Sequence, residues 1–118
     1  NPKRLEVLGD GTQTKSYLLV EDCVEAMVHA FEKGEGLYDA YNVAARDAID
    51  VRTLARIVID ERKLENVEVV CMGGPEGGRG WIGDVKNMWL DVSKLSGLGW
   101  RPQHDSSESV RKAVAALR

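Results

Sequence analysis

The chain has 118 residues, of which 43% are hydrophobic and 30% charged, as expected for one packed domain. A formal charge of −3 argues against a nucleic-acid surface, which requires a basic stripe. No stretch approaches the roughly 18 apolar residues of a membrane span, and no signal peptide precedes the first predicted strand. We therefore expect a cytoplasmic protein with neither a nucleic-acid nor a membrane partner.

The first half of the chain predicts short strands and one helix. Residues 5–9 alternate apolar and polar side chains and end in glycine, which is typical of a strand, and residues 16–20 predict a second one. Apolar residues then recur at helical spacing from Val20 onward, until Gly34 supplies a C-terminal stop signal. Residues 38–44 predict a further strand.

The second half begins with Asp50, a good N-cap for a second helix. Residues 67–72 form a β-rich apolar run, and residues 73–83 hold six of the twelve glycines, which no regular element would tolerate. Residues 105–108 resemble a capping box that opens a last helix. Short strands mixed with about three helices predict an α/β or small α+β domain.

The stretch from Leu8 to Tyr17, LGDGTQTKSY, contains two glycines and a lysine, as phosphate-binding loops do. A dinucleotide loop needs the pattern GxGxxG before a helix, whereas Gly9 and Gly11 lack a third glycine and precede a predicted strand. Spacing alone therefore favours a strand-to-strand turn in which glycine supplies positive φ.

Catalytic and metal-binding patterns are missing from this sequence. No tyrosine has a lysine four residues on, and no serine lies in a nucleophile elbow. Cys23 and Cys71 lie far apart in apolar surroundings, which favours packing over a disulfide. His29 and His104 have no partner at ligand spacing. We therefore predict no catalytic residue and no metal site.

The three tryptophans invite different interpretations. Trp100 is expected to pack against the last helix. Trp89, between Met88 and Leu90, is expected in the core, with a platform for base stacking as the alternative. Trp81 lies in the glycine-rich stretch, where an aromatic ring could cover a ligand or an interface.

Four motifs in order resemble one family. Residues 5–22 read LEVLGDGTQTKSYLLVED, and YNVA, RGWIGDV and LDVSKLSGLGWRP follow at residues 41–44, 79–85 and 90–102. Together they resemble the C-terminal third of extended short-chain dehydrogenases/reductases. More narrowly, they resemble the NAD-dependent nucleotide-sugar epimerase/dehydratase family, which includes enzymes of the UDP-glucose 4-epimerase type. The resemblance implies that residues 1–118 are the C-terminal nucleotide-sugar-binding domain of such an enzyme.

The resemblance also implies substrate-binding residues in the first motif. Backbone groups of Glu6, Val7 and Leu8 would line the nucleoside. Lys15 would contact the pyrophosphate, where the family usually has arginine. A lysine is a point charge and lacks the bidentate fork of arginine.

The third motif departs further from the family. The family's R-P-G-D motif would place its phosphate-binding arginine at Trp81 and its aspartate at Asp84. Arg79, two residues earlier, is the nearest arginine here, and we assign it that role together with Asp84. The alternative is that Arg79 is simply a solvated charge.

The resemblance finally implies what this chain lacks. The family's dinucleotide loop and catalytic residues belong to its N-terminal Rossmann half, so we expect no cofactor in this chain and NAD in the parent enzyme. The opening NPKRLEV, without an initiator Met, suggests a cut inside such a longer protein. The expected partners are a UDP-sugar and either the missing Rossmann half or further copies of this chain. The alternative function is a free-standing interaction or assembly module.

Overall fold

The structure is a computed structural model that describes residues 2–117. It has five strands, four α-helices and one 3₁₀ turn at Glu76–Gly78. The strands are β1 (Arg4–Val7), β2 (Thr14–Lys15), β3 (Ile49–Asp50), β4 (Glu68–Cys71) and β5 (Asn87–Met88). The helices are α1 (Val20–Lys33), α2 (Val51–Glu61), α3 (Ser93–Gly97) and α4 (Ser106–Ala116). The predicted mixed α/β class is confirmed.

Two small sheets organise the strands. β1 and β4 pair in parallel, with Val7 opposite Cys71. β2 lies between β3, with which it is antiparallel, and β5, with which it is parallel. Within residues 2–117 neither sheet has more than three strands, so helices supply most of the packing surface.

Local signals place the helix starts. The Asp50 carboxylate accepts a hydrogen bond from the Thr53 backbone N–H at 2.6 Å, as expected of an N-cap. Asp105 and Glu108 form the predicted capping box at the start of α4. At the other end of α1, Gly34 is the C-cap, as predicted.

Two apolar clusters hold the helices together. Ile57 of α2 packs with Val110 and Val114 of α4. Ala26 of α1 packs with Leu95 and Trp100, so Trp100 belongs to a cluster that joins α1 and α3, whereas the sequence predicted packing on the last helix. The difference arises because Trp100 lies in the connection after α3, before the chain turns into α4.

Two predicted strands are not formed. Residues 16–19 belong to no strand, and Val20 already begins α1, so the strand lies earlier, at Thr14–Lys15. Residues 38–44 contain no strand. A strand requires a hydrogen-bonded neighbour, and among residues 2–117 no segment pairs with either stretch.

Candidate functional site

The two glycine-rich segments pack directly against each other. We call residues 8–13 the first turn and residues 73–83 the glycine-rich loop. The Gly9 N–H donates to Gly73 O at 2.8 Å, and the Asp10 N–H donates to Gly78 O at 2.9 Å. Gly9 has φ of +85°, and a Cβ there would lie 2.6 Å from Gly78 O. A glycine is therefore required at this close approach.

An ion pair closes the same junction. Lys86 Nζ lies 2.7 Å from Asp10 Oδ2 and also donates to Gly77 O. Asp10 Oδ1 accepts from the Thr12 backbone N–H at 2.8 Å and from its hydroxyl at 2.7 Å. The hydrogen bond from Lys86, followed by those from Thr12, holds the pKa of Asp10 well below its usual range. We call the Asp10–Lys86 pair the clasp.

A cavity of about 360 Å³ opens between β1, α2 and the glycine-rich loop. Its walls are mostly apolar, with a few polar groups near Lys15. The lining residues are Leu5, Glu6, Val7, Leu8, Gln13, Lys15, Tyr17, Val51, Leu54, Ala55, Val58, Gly80, Trp81 and Asp84. An apolar cleft with a few convergent polar groups is the usual form of a small-molecule site.

Lys15 and Asp84 form the polar centre of this cavity. Lys15 Nζ lies 2.9 Å from Asp84 Oδ1, and the Gly80 N–H donates to Asp84 Oδ2 at 3.0 Å. Asp84 is only 4% exposed. The hydrogen bond from Lys15 and then that from Gly80 lower the pKa of Asp84, so its carboxyl is ionised at neutral pH. The Lys15 ammonium lies 5.4 Å from the ring centroid of Trp81.

Gln13 stabilises the first turn from inside. Its Oε1 accepts from the Gly11 N–H and its Nε2 donates to Leu8 O, both at 2.9 Å. Gln13 is 3% exposed, so its amide is committed to the turn. Tyr17 lies on the same wall, and burial raises the pKa of its phenol, which is therefore neutral at physiological pH.

The structure brings five of the six predicted site residues together. Glu6, Val7, Leu8, Lys15 and Asp84 all line this cavity. Their predicted roles toward a ligand remain predictions.

Arg79 is the exception among the six. It lines a separate depression with Ile82 and Gly83, although it directly precedes Gly80 of the cavity. Sequence reasoning overlooked Gln13 and Lys86. The Asp-Gly-Thr sequence is a local signal for the Asp10–Thr12 contact. No local signal predicts that Lys86 contacts Asp10, because the two residues are 76 positions apart.

Other predicted features have mixed outcomes. Trp89 is 71% exposed, so its assignment to the core is wrong. A run of apolar neighbours does not bury a residue when no element covers that side.

Trp81 lines the cavity, where its ring could cover a ligand, which is one of the two interpretations given for it. Cys23 and Cys71 are free thiols and only half-buried.

The two histidines have structural partners. His104 donates its backbone N–H to the buried Asp22 carboxylate at 3.0 Å, and a ring nitrogen of His29 lies 2.8 Å from Leu98 O. Among the described residues, no group of three potential ligands could hold a metal ion. No described helix is both long and apolar enough to cross a lipid bilayer.

Neither glycine-rich segment fits a dinucleotide cofactor. Such a loop presents backbone N–H groups at the start of a helix. The first turn leads instead into β2, and the glycine-rich loop contains only a three-residue 3₁₀ turn. The N–H groups of Gly9 and Asp10 are also bonded to the glycine-rich loop. These segments therefore do not fit an NAD pyrophosphate.

Comparison with known proteins gives a consistent result. Residues 1–44 match the model of the NAD dependent epimerase/dehydratase family. GDP-mannose 3,5-epimerase of Arabidopsis thaliana is 28% identical over 92% of this chain and 26% of its own length. A crystal structure of UDP-galactose 4-epimerase superposes with a TM-score of 0.81 and 40% identity, over 99% of this chain and 36% of that one. The structure of UDP-glucose 4-epimerase of Thermotoga maritima with UDP-glucose superposes with a TM-score of 0.75 and 26% identity. That match covers 94% of this chain and 33% of that one.

The chain thus spans between about a quarter and a third of the proteins it matches. The match extends over nearly all of its own residues, so the similarity concerns one portion of those larger proteins.

Proposed function

Because this chain is related to nucleotide-sugar epimerases and dehydratases over about a third of their length, we propose that it is the C-terminal, substrate-binding portion of such an enzyme. The ligand would be a nucleotide-diphosphate sugar, and a UDP-sugar in particular. The observation that carries the proposal is the Lys15–Asp84 pair at the polar end of an apolar cavity.

The cavity suits a nucleoside attached to phosphate. Ligand pockets span roughly 300–1,000 Å³, and 360 Å³ lies at the lower end. Val51, Leu54 and Val58 offer an apolar wall for a base, and Glu6, Val7 and Leu8 line the cavity beside it. The Val7 and Leu8 carbonyls already accept hydrogen bonds from the Met72 N–H and from Gln13 Nε2. This arrangement would let the base lie against the wall with its phosphates directed toward Lys15.

Lys15 would hold the pyrophosphate. An ammonium has three N–H donors, and Asp84 occupies one of them at 2.9 Å. Asp84 fixes the direction of the ammonium, so we assign Asp84 a positioning role. Trp81 would cover the bound phosphate from the side of the glycine-rich loop. Arg79 precedes Gly80 on the same loop, and in our proposal it is the second cation for the diphosphate.

The proposed role is limited to binding and orientation. Holding a substrate in one geometry contributes to catalysis by removing its translational and rotational freedom. NAD and the groups that exchange protons and hydride with the sugar would come from the remaining two thirds of the parent enzyme. The cytoplasmic location expected from the sequence is part of the same proposal, and two free thiols are consistent with a reducing compartment.

Calorimetric titration with UDP-glucose tests the proposal. A charge-assisted hydrogen bond contributes about 1.5–3 kcal/mol, so Lys15→Ala should weaken binding at least about tenfold. Lys33→Ala, in the last turn of α1, is the matched control and should leave affinity unchanged. Uridine should bind more weakly than UDP-glucose, and NAD should not bind. Equal affinity of Lys15→Ala and the unsubstituted chain would refute the assignment.

The second candidate, an interaction or assembly module, has its own supporting observation. One face of α1 is apolar and points outward, since Val24, Met27, Val28 and Phe31 are all more than half exposed. The opposite face carries the buried Asp22 and Ala26. A contiguous apolar helix face of this kind is typical of a surface that is covered by a partner.

We propose two occupants for this α1 face: the missing Rossmann half of the parent enzyme, or a second copy when the chain is alone. Analytical ultracentrifugation over a wide concentration range tests self-association. We expect a dimer or larger species that dissociates in Met27→Ser/Phe31→Ser. A monomer at every concentration would refute self-association. Retained UDP-glucose binding in the same variant would show that the face and the cavity are independent.

A further inference from the structure

A second and larger cleft lies apart from the Lys15 cavity. Its volume is about 620 Å³, and it shares no lining residue with the first cavity. The segment from Trp89 to Ser96 forms one side, and Arg46 and Arg101 complete it. We call it the two-arginine cleft.

The charge of this cleft differs from that of the whole chain. Arg46 and Arg101 are both exposed, and neither takes part in the ion pairs formed among residues 2–117. Asp91 is the one acidic lining residue, and its carboxylate accepts the Ser93 backbone N–H at 2.8 Å. A chain of net charge −3 therefore has a local excess of positive charge here.

The backbone beneath each arginine is well anchored. Arg46 directly follows Ala45, which is fully buried, and Arg101 directly follows Trp100, which is 5% exposed. The Asn42 side-chain amide donates to Asp91 O at 3.0 Å and ties the opposite wall to the same region. Each arginine therefore starts from a packed backbone position, so less backbone freedom is lost when it binds an anion.

An exposed indole completes the site. Trp89 lines the cleft and is 71% exposed, so most of its surface is accessible to a ligand. Aromatic side chains stack on nucleic-acid bases, and a guanidinium can donate two parallel N–H bonds to two oxygens of one phosphate. The acidic chain as a whole would repel a nucleic-acid polymer, whereas a small phosphate ester meets only the local charge.

We propose that the two-arginine cleft binds a nucleoside monophosphate, with its phosphate held by Arg46 and Arg101 and its base stacked on Trp89. The volume of the cleft lies within the range of small-molecule sites. The proposal concerns a ligand separate from the one in the Lys15 cavity, and it does not depend on the function proposed above.

Calorimetric titration with AMP, adenosine and inorganic phosphate tests it on the unsubstituted chain. AMP should bind more tightly than either fragment by at least about tenfold, because only AMP engages both the guanidinium pair and the ring. Equal binding of AMP and adenosine would overturn the phosphate assignment. Equal binding of AMP and inorganic phosphate would overturn the stacking assignment. An absence of AMP binding at millimolar concentration would overturn the proposal as a whole.

Substitutions then locate the site. Arg46→Ala/Arg101→Ala and Trp89→Leu should each lose at least about tenfold in AMP affinity. Arg46→Lys/Arg101→Lys should recover part of it, since charge is kept and the planar fork is lost. Lys33→Ala, in the last turn of α1 and outside both cavities, is the matched control and should bind AMP normally. If Lys15→Ala abolishes AMP binding and the arginine variants do not, the nucleotide binds in the first cavity and the proposal is wrong.

Discussion

Two adjacent glycines offer a test of how tightly the glycine-rich loop packs on the first turn. Gly77 and Gly78 both have φ of +73°. A Cβ on Gly77 would meet no atom within 4 Å, whereas a Cβ on Gly78 would lie 2.0 Å from Asp10 Oδ2, 2.4 Å from Cγ and 2.8 Å from Cβ. Rotating the carboxylate cannot relieve the contact with Asp10 Cβ, so Gly78→Ala must displace the backbone or break the clasp.

Both substitutions place a Cβ in a left-handed backbone conformation, but only Gly78→Ala also overpacks its surroundings. The left-handed conformation costs a residue with a Cβ about 1–2 kcal/mol, and this applies to both Gly77→Ala and Gly78→Ala. Overpacking adds about 1–3 kcal/mol, and this applies to Gly78→Ala alone. We therefore expect Gly78→Ala to lower the free energy of unfolding by about 1–3 kcal/mol more than Gly77→Ala does.

Urea unfolding of both variants measures the difference. In an Asp10→Gly background, which removes all three contacting atoms, the two alanine substitutions should become equal in cost. Equal free energies of unfolding in the unsubstituted background would refute the packing argument, and so would a difference that persists after Asp10→Gly.

Three further predictions concern stability. Asp50→Ala should lower the free energy of unfolding by about 1 kcal/mol because the α2 cap is lost, and Asp50→Ser should restore most of it in thermal melts. Leu95→Ala should cost about 2–5 kcal/mol in urea unfolding, since Leu95 is fully buried between Ala26 and Trp100; a smaller cost would show that the cluster collapses around the deletion. The folded-state pKa of Asp84 is lowered from 3.8, so its stabilising contribution is complete above that value and is lost as the pH falls below it. Urea midpoints between neutral pH and acid should fall less in Asp84→Asn than in the unsubstituted chain, and parallel pH profiles would contradict this.

Several features follow from the sequence alone because their causes are local. The caps at Asp50 and Asp105 and the stop at Gly34 depend on groups within a few residues of each other. The same holds for the apolar runs that become β1 and β4. Motif order also indicated which family the chain resembles, since four motifs with defined spacing carry more information than one glycine pair.

Only the tertiary structure decided which distant groups meet. Lys15 and Asp84 are 69 residues apart, and no periodicity relates them. Residues 38–44 have strand-like composition, yet a strand forms only when a neighbour satisfies its backbone groups. The spacing of apolar residues in α1 defined one face, and the fold left that face uncovered. Helical periodicity shows which residues share a side, whereas what covers that side depends on packing between elements that are remote in the chain.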